Sequence, residues 1–159
     1  MRTNGWEKKL AEETNRVAER TSKAVSSGYE RESLRKKLVS EFVDEIGKLI
    51  QKSADIFNQS SQSKIKCLKR QKDRRGNEYC GFEFDNKQIW FVDTDRGFVR
   101  VDLLVGESVQ EAAFILARLS KTGTFITWDE KNVMGVGNRL EPVTLKHLVR
   151  KYMTMIVTR

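Results

Sequence analysis

Near residue 60 the spacing of apolar side chains changes from three and four residues to two. No other feature restricts the fold of this 159-residue chain as strongly. Before the change, Leu34, Leu38, Phe42, Ile46, Leu49, Ile50 and Phe57 recur at the spacing of one helical face. At 1.5 Å per residue, a helix running to about residue 58 is roughly 40 Å long. A helix of that length must lie across a sheet or against a partner helix. "NQSSQS" at 58–63 is a polar link. After it Ile65 and Cys67 alternate with polar neighbours. "EYCGFEFD", "QIWFVD" and "FVRVDLLV" then follow, rich in β-branched and aromatic residues. Turn chemistry separates them: "DRRGN" at 73–77, "DNK" at 85–87 and "DTDRG" at 93–97. The pattern predicts four strands joined by three hairpins, an antiparallel meander. With the first turn centred between Asp73 and Arg74, Cys67 falls opposite Cys80.

The rest of the chain extends this α+β plan. Residues 6–25 carry a thin apolar stripe of Trp6, Leu10, Val17, Ala24 and Val25 and predict a first helix. "SSG" at 26–28 breaks it, and Ser27 with Glu30 has capping-box spacing for the second helix. "ESVQEAAFILARLSKTG" has a similar pair in Ser108 and Glu111, is apolar nearly all round, and predicts a buried helix capped by Gly123. "TFITW" predicts a strand, "DEKN" a turn and "VMGVG" a short return strand. An amphipathic helix over about 143–158 closes the chain, started by Glu141-Pro142 or Thr144. The expected organisation is one domain over 1–159, with 1–27 a helical arm on an α+β core of 28–159.

Charge points towards function. The net charge of +8 is concentrated: residues 64–76 carry seven basic groups and one acidic, residues 137–159 carry five and one, and residues 77–136 carry six and ten. Local clustering sets a local field better than net charge does. Lys64, Lys66, Lys69, Arg70, Lys72, Arg74 and Arg75 occupy one hairpin arm and its tip. Long cations on an extended arm can follow a phosphate backbone by releasing its counterions. Tyr79 and Phe82 lie nearby as platforms for unpaired bases. Against this stands an edge strand protected by its cations, although such protection needs two or three charges rather than seven. On the last helix, Lys146, Arg150 and Lys151 lie across from an apolar stripe of Leu145, Leu148, Val149, Tyr152, Met155 and Ile156.

Other chemistry has thinner support. His147 is the only histidine, and local spacing supplies no carboxylate to orient it as a base. One His and two separated Cys fall short of a structural zinc site. Asp93, Asp95 and Asp102, or Asp129 with Glu130, offer carboxylates to magnesium, but Asp and Gly in "DTDRG" are explained by a hairpin turn. "GVGNRL" lacks the rest of a nucleotide fingerprint. No run approaches eighteen apolar residues, and the first twenty residues lack an apolar signal core, so a cytoplasmic protein without a membrane segment is expected. Two reduced, packed thiols are expected there.

The sequence shows no convincing catalytic constellation, and its leading reading has no catalytic site, metal or cofactor; a small magnesium-dependent nuclease using Asp93 and Asp95 is a third class behind the two binding readings. In the leading reading the protein would bind nucleic acid or another polyanion through the basic hairpin and the basic terminal helix. The alternative is an interaction or regulatory module that recognises an acidic protein. The heptad-like run Val39, Phe42, Ile46, Leu49, Ser53 and Ile56 and the N-terminal stripe give that alternative a route to a homodimer.

Overall fold

The computed structural model describes residues 9, 11–12, 28–133 and 139–158. The expected first helix over 6–25 lies mostly outside them, as do Ser27 and most of "VMGVG". In the described residues, helix α1 (Gly28–Ser60) precedes seven strands, and helix α2 (Leu145–Thr158) follows them. The strands are β1 (Lys66–Lys72), β2 (Glu78–Phe84), β3 (Lys87–Asp93), β4 (Phe98–Val105), β5 (Ser108–Leu119), β6 (Phe125–Asn132) and β7 (Leu140–Val143). They form one antiparallel sheet in the order β1-β2-β3-β4-β5-β6-β7. The architecture is α+β.

Three expectations are corrected. The meander has seven strands rather than four. The segment expected as a buried helix is the twelve-residue strand β5, paired with β4 on one side and β6 on the other. Its apolar residues occur on both faces: Ala113, Ile115 and Ala117 are buried, while Phe114 is half-buried and Leu116 exposed. Ala113, Ile115 and Ala117 face the helices, while Phe114, Leu116 and Arg118 face away, as their partners on β4 and β6 show. The Ser108–Glu111 spacing therefore caps nothing. Gly106 (φ 60°) instead takes the first of two loop positions between paired Val105 and Ser108, as a II′ hairpin turn requires. Third, β6 runs straight through "DEKN".

Both helices cover one face of the sheet. Val39, Phe42, Val43, Ile46 and Ile50 of α1 and Leu148, Val149, Tyr152 and Ile156 of α2 are buried against Phe82, Ile89, Phe91, Val99, Val101 and Ile115. Phe42 sits edge-on to Trp128 at 4.8 Å, and Phe91 edge-on to Tyr152 at 5.8 Å. The heptad-like residues Val39, Phe42 and Ile46 are thus used in this core, while Ile56 is exposed. Thr144 begins α2, its Oγ1 accepting the His147 N–H at 3.2 Å. No described helix is long and apolar enough to cross a membrane.

The first hairpin also differs in register. Its turn centres on Arg75, with Lys72 opposite Glu78, and Cys67 falls opposite Phe82. Cys80 faces Phe91 on the next strand, and both thiols are free. A bulge between Leu68 and Gln71 sets Lys69 and Arg70 against the single residue Cys80.

Candidate functional site

The face of the sheet away from the helices carries no helix among the described residues, and side-chain alternation decides what it presents. Tyr79 and Gly81 of β2, Trp90 of β3, Arg100, Asp102 and Leu104 of β4, and Val109 and Glu111 of β5 share this open face, as their pairing shows. Gly81 lies opposite Trp90, and a Cβ there would stand 1.8 Å from the Ile89 carbonyl oxygen. Only glycine lets β2 pair with β3 at this point. Beside it the rings of Tyr79 and Trp90 stack at 3.9 Å and 15°. The Trp90 Nε1–H donates to Gln88 Oε1 at 2.7 Å, which fixes the indole.

A cleft of about 950 Å³ opens above this stack, between the β1–β2 and β4–β5 hairpins. That volume is in the range of ligand pockets. Lys72, Arg74 and Arg75, with the turn-forming Asp73 between them, form one wall, and Glu107 and Glu111 form the other. The floor holds Tyr79, Trp90 and the Arg100–Asp102 pair, with apolar Leu104 and Val109 beside it. Arg100 donates through Nε to Asp102 Oδ1 at 2.9 Å and through Nη2 to Oδ2 at 3.1 Å. This fork satisfies Asp102, which is buried, and the hydrogen bonds raise the Arg100 pKa. Burial, with the Asp73 charge second, pushes the Tyr79 phenol up, so it stays neutral in the floor.

The tip of the basic hairpin is shaped by Asp73. Its Oδ1 accepts the N–H groups of Arg75 and Asn77, each at 2.9 Å, and its N–H donates to the Asn77 carbonyl at 2.8 Å. Arg74 and Arg75 are held exposed at the turn, and neither they nor Lys72 enter an ion pair among the described residues.

The other basic residues have separate placements. Arg70 turns under α1: its Nη1 donates to the Ser40 carbonyl at 3.0 Å and to Asp44 Oδ1 at 2.6 Å, and its Nε donates to Glu78 Oε2 at 2.9 Å. Lys64 donates to the Asn58 and Ser61 carbonyls at the C-terminus of α1. Lys66 and Lys69 are exposed on edge strand β1. Lys146 and Arg150 are exposed on α2, while Lys151 donates to Glu130 Oε1 at 2.6 Å. Because α2 lies on the covered face, its cations and the cleft are on opposite faces of the sheet. Phe82 is fully buried under α1 and presents no platform; Tyr79 belongs to the cleft floor.

The carboxylates considered for a metal are dispersed. Asp102 is bound by Arg100, Asp129 by Arg118 at 2.9 Å, and Glu130 by Lys151 and the Tyr152 hydroxyl at 2.6 Å. Asp93 closes the β3–β4 turn by accepting the Asp95 N–H at 2.9 Å. Trp90, Arg100, Glu107 and Glu111 were missed as site residues. Trp90 was legible only through its register against Gly81, and the two glutamates only once 108–119 is read as a strand. No protein-family model, curated protein or solved structure matches this chain.

Proposed function

We propose that this protein is a non-enzymatic binding module for single-stranded nucleic acid, engaged through the cleft of the open face. One observation carries the reading: three exposed cations that enter no ion pair among the described residues, Lys72, Arg74 and Arg75, line the same cleft as the Tyr79–Trp90 stack. Cations that track a backbone beside an aromatic floor are the two elements single-strand binders combine. Base–aromatic stacking contributes about 1–3 kcal/mol per base and tolerates any sequence. A duplex hides its base faces and gains only the phosphate term. Lys66 and Lys69 continue the basic edge along β1. Lys64, Arg70, Lys146, Arg150 and Lys151 add to the general field of a +8 chain rather than to the cleft. The test is a titration of labelled single- and double-stranded DNA and RNA over a salt series, read by anisotropy and by tryptophan fluorescence, with Trp90→Phe separating the Trp90 signal from those of Trp6 and Trp128. Single strands should bind more tightly, quench the indole and weaken with salt. No binding at low salt would overturn the reading.

A second reading is an interaction module for an acidic protein. It is favoured by the apolar side chains left exposed around the same face, Val109 at 62% and Leu140 at 53%. It expects capture of a protein partner that Arg74→Glu and Arg75→Glu abolish, with no oligonucleotide competition.

A further inference from the structure

The proposed single-strand reading leaves the second wall of the cleft unexplained, because Glu107 and Glu111 repel a phosphate backbone. Both are exposed, and neither enters an ion pair among the described residues. Asp102, opposite Glu111 in the β4–β5 register, is already taken by Arg100. The cleft therefore has a net cationic side, whose one carboxylate, Asp73, is engaged by its own turn, and an acceptor-only side, with the indole of Trp90 in its floor. A strand that puts its phosphates on Lys72, Arg74 and Arg75 and lays a base along Trp90 directs that base's edge at the glutamates. A carboxylate accepts hydrogen bonds and donates none, so the edge it takes must donate.

The four bases differ here. Guanine presents N1–H and the N2 amino group side by side, two donors that match the two oxygens of one carboxylate, as a guanidinium fork does. Cytosine and adenine each present one amino group beside a ring-nitrogen acceptor, which a carboxylate repels. Uracil presents one N–H between two carbonyl oxygens.

We propose that the cleft selects guanine in single-stranded nucleic acid, with Glu107 and Glu111 as the specificity-determining carboxylates. This rests on the single-strand reading and adds base choice to it. Phosphate contacts position a protein without reading sequence, so the basic wall alone cannot supply that choice.

The experiment uses the full chain and labelled uridine decamers carrying one central G, inosine, A, C or U. Inosine keeps N1–H and lacks the N2 amino group. A single G per strand avoids strand self-association. The G decamer should bind roughly tenfold more tightly than the others, the scale of one good bidentate base contact. Glu107→Gln with Glu111→Gln should erase that preference while keeping the salt dependence. Equal affinity for all five decamers, or a G preference surviving in the double variant, would overturn guanine selection and leave the single-strand reading standing. Absence of binding to every decamer would overturn both. The inosine comparison needs no variant, so it does not depend on how a mutant folds.

Discussion

Arg70 and the pair Arg74 and Arg75 sit four and five residues apart on one hairpin, yet they should fail in opposite ways when removed. Arg70 joins β1 to α1 and β2 through Ser40, Asp44 and Glu78. Asp44 and Glu78 are partly exposed, so the ion pairs contribute modestly, about 0.2–1 kcal/mol each. The bond to the Ser40 carbonyl comes from a charged donor and contributes about 1.5 kcal/mol or more. Arg70→Met keeps much of the stem packing and loses these bonds, a cost of about 2 kcal/mol. For a chain of this length that lowers Tm by roughly 4–8 °C. Arg74→Ala with Arg75→Ala removes exposed groups that enter no ion pair among the described residues and should shift Tm by no more than about 2–4 °C, since each such surface change stays near ±0.5 kcal/mol.

Binding should show the reverse. If Lys72, Arg74 and Arg75 each neutralise one phosphate of a single strand, at about −0.7 per phosphate, the log–log salt slope is about −2. Raising salt from 50 to 200 mM then weakens binding roughly twentyfold. The Arg74, Arg75 double variant keeps one contact, a slope near −0.7, and loses only about threefold over the same range. Arg70→Met should leave the slope unchanged. Differential scanning fluorimetry gives Tm, and the anisotropy salt series gives the slope. A variant of Arg70 that keeps its Tm and flattens the slope as far as the double variant does would refute the division of roles.

Other expectations concern the core and the titrating groups. Phe42→Ala removes a ring packed on Trp128 and Phe91 and should cost about 3–5 kcal/mol by urea unfolding; a loss below 1 kcal/mol would mean that α1 is not seated on the sheet. Burial pushes the Cys80 thiol up to about 12, so in the native protein at pH 8 a disulfide exchange reagent should leave Cys80 unmodified, and modify both thiols in guanidinium. The unfolded thiol ionises near 9.0 and the folded one near 12, so stability is lost as pH rises through this window, by about 1.4 kcal/mol at pH 10; Cys80→Ala should remove that part of the alkaline decline. Burial raises the Asp93 pKa, so its ionised form is the penalised one in the fold. Asp93→Asn keeps the acceptor for the Asp95 N–H and should stabilise at pH 7, with the gain fading as pH falls through the Asp93 pKa, read by melts from pH 7 to 3.

Local signals were legible where a few residues suffice. "DN" at 85–86 gives a two-residue turn with both residues at positive φ, 50° and 63°, and "DRRGN" places Gly76 at φ 83°. The long amphipathic run became α1 because one apolar face is all such a helix needs to find a sheet. "VQEAAFILARL" was illegible because its apolar residues fall on every side, a pattern shared by a buried helix and by a strand with apolar residues on both faces. What decides is pairing with β4 and β6, which lies outside the segment. That misreading hid the acidic wall, since Glu107 and Glu111 reach the cleft only as turn and strand residues. The basic wall was legible as charge, but charge alone could not separate Arg70 from Arg74.

The separation comes from the bulge. Regular pairing gives each residue of β1 one partner on β2, but Lys69 and Arg70 both oppose Cys80. Two cations at one register position cannot share one direction, and here one is turned out to solvent while the other goes under α1. Going under is open to Arg70 because Asp44, Glu78 and the Ser40 carbonyl offer acceptors spaced for a planar fork; a lysine offers a point charge instead. The edge strand is thus anchored to the helix just before the tip. Beyond the anchor, Asp73 folds the turn by accepting backbone N–H groups, and the guanidinium groups of Arg74 and Arg75 enter no ion pair among the described residues. One guanidinium of the hairpin holds the arm in position, and the next two stand exposed at its turn.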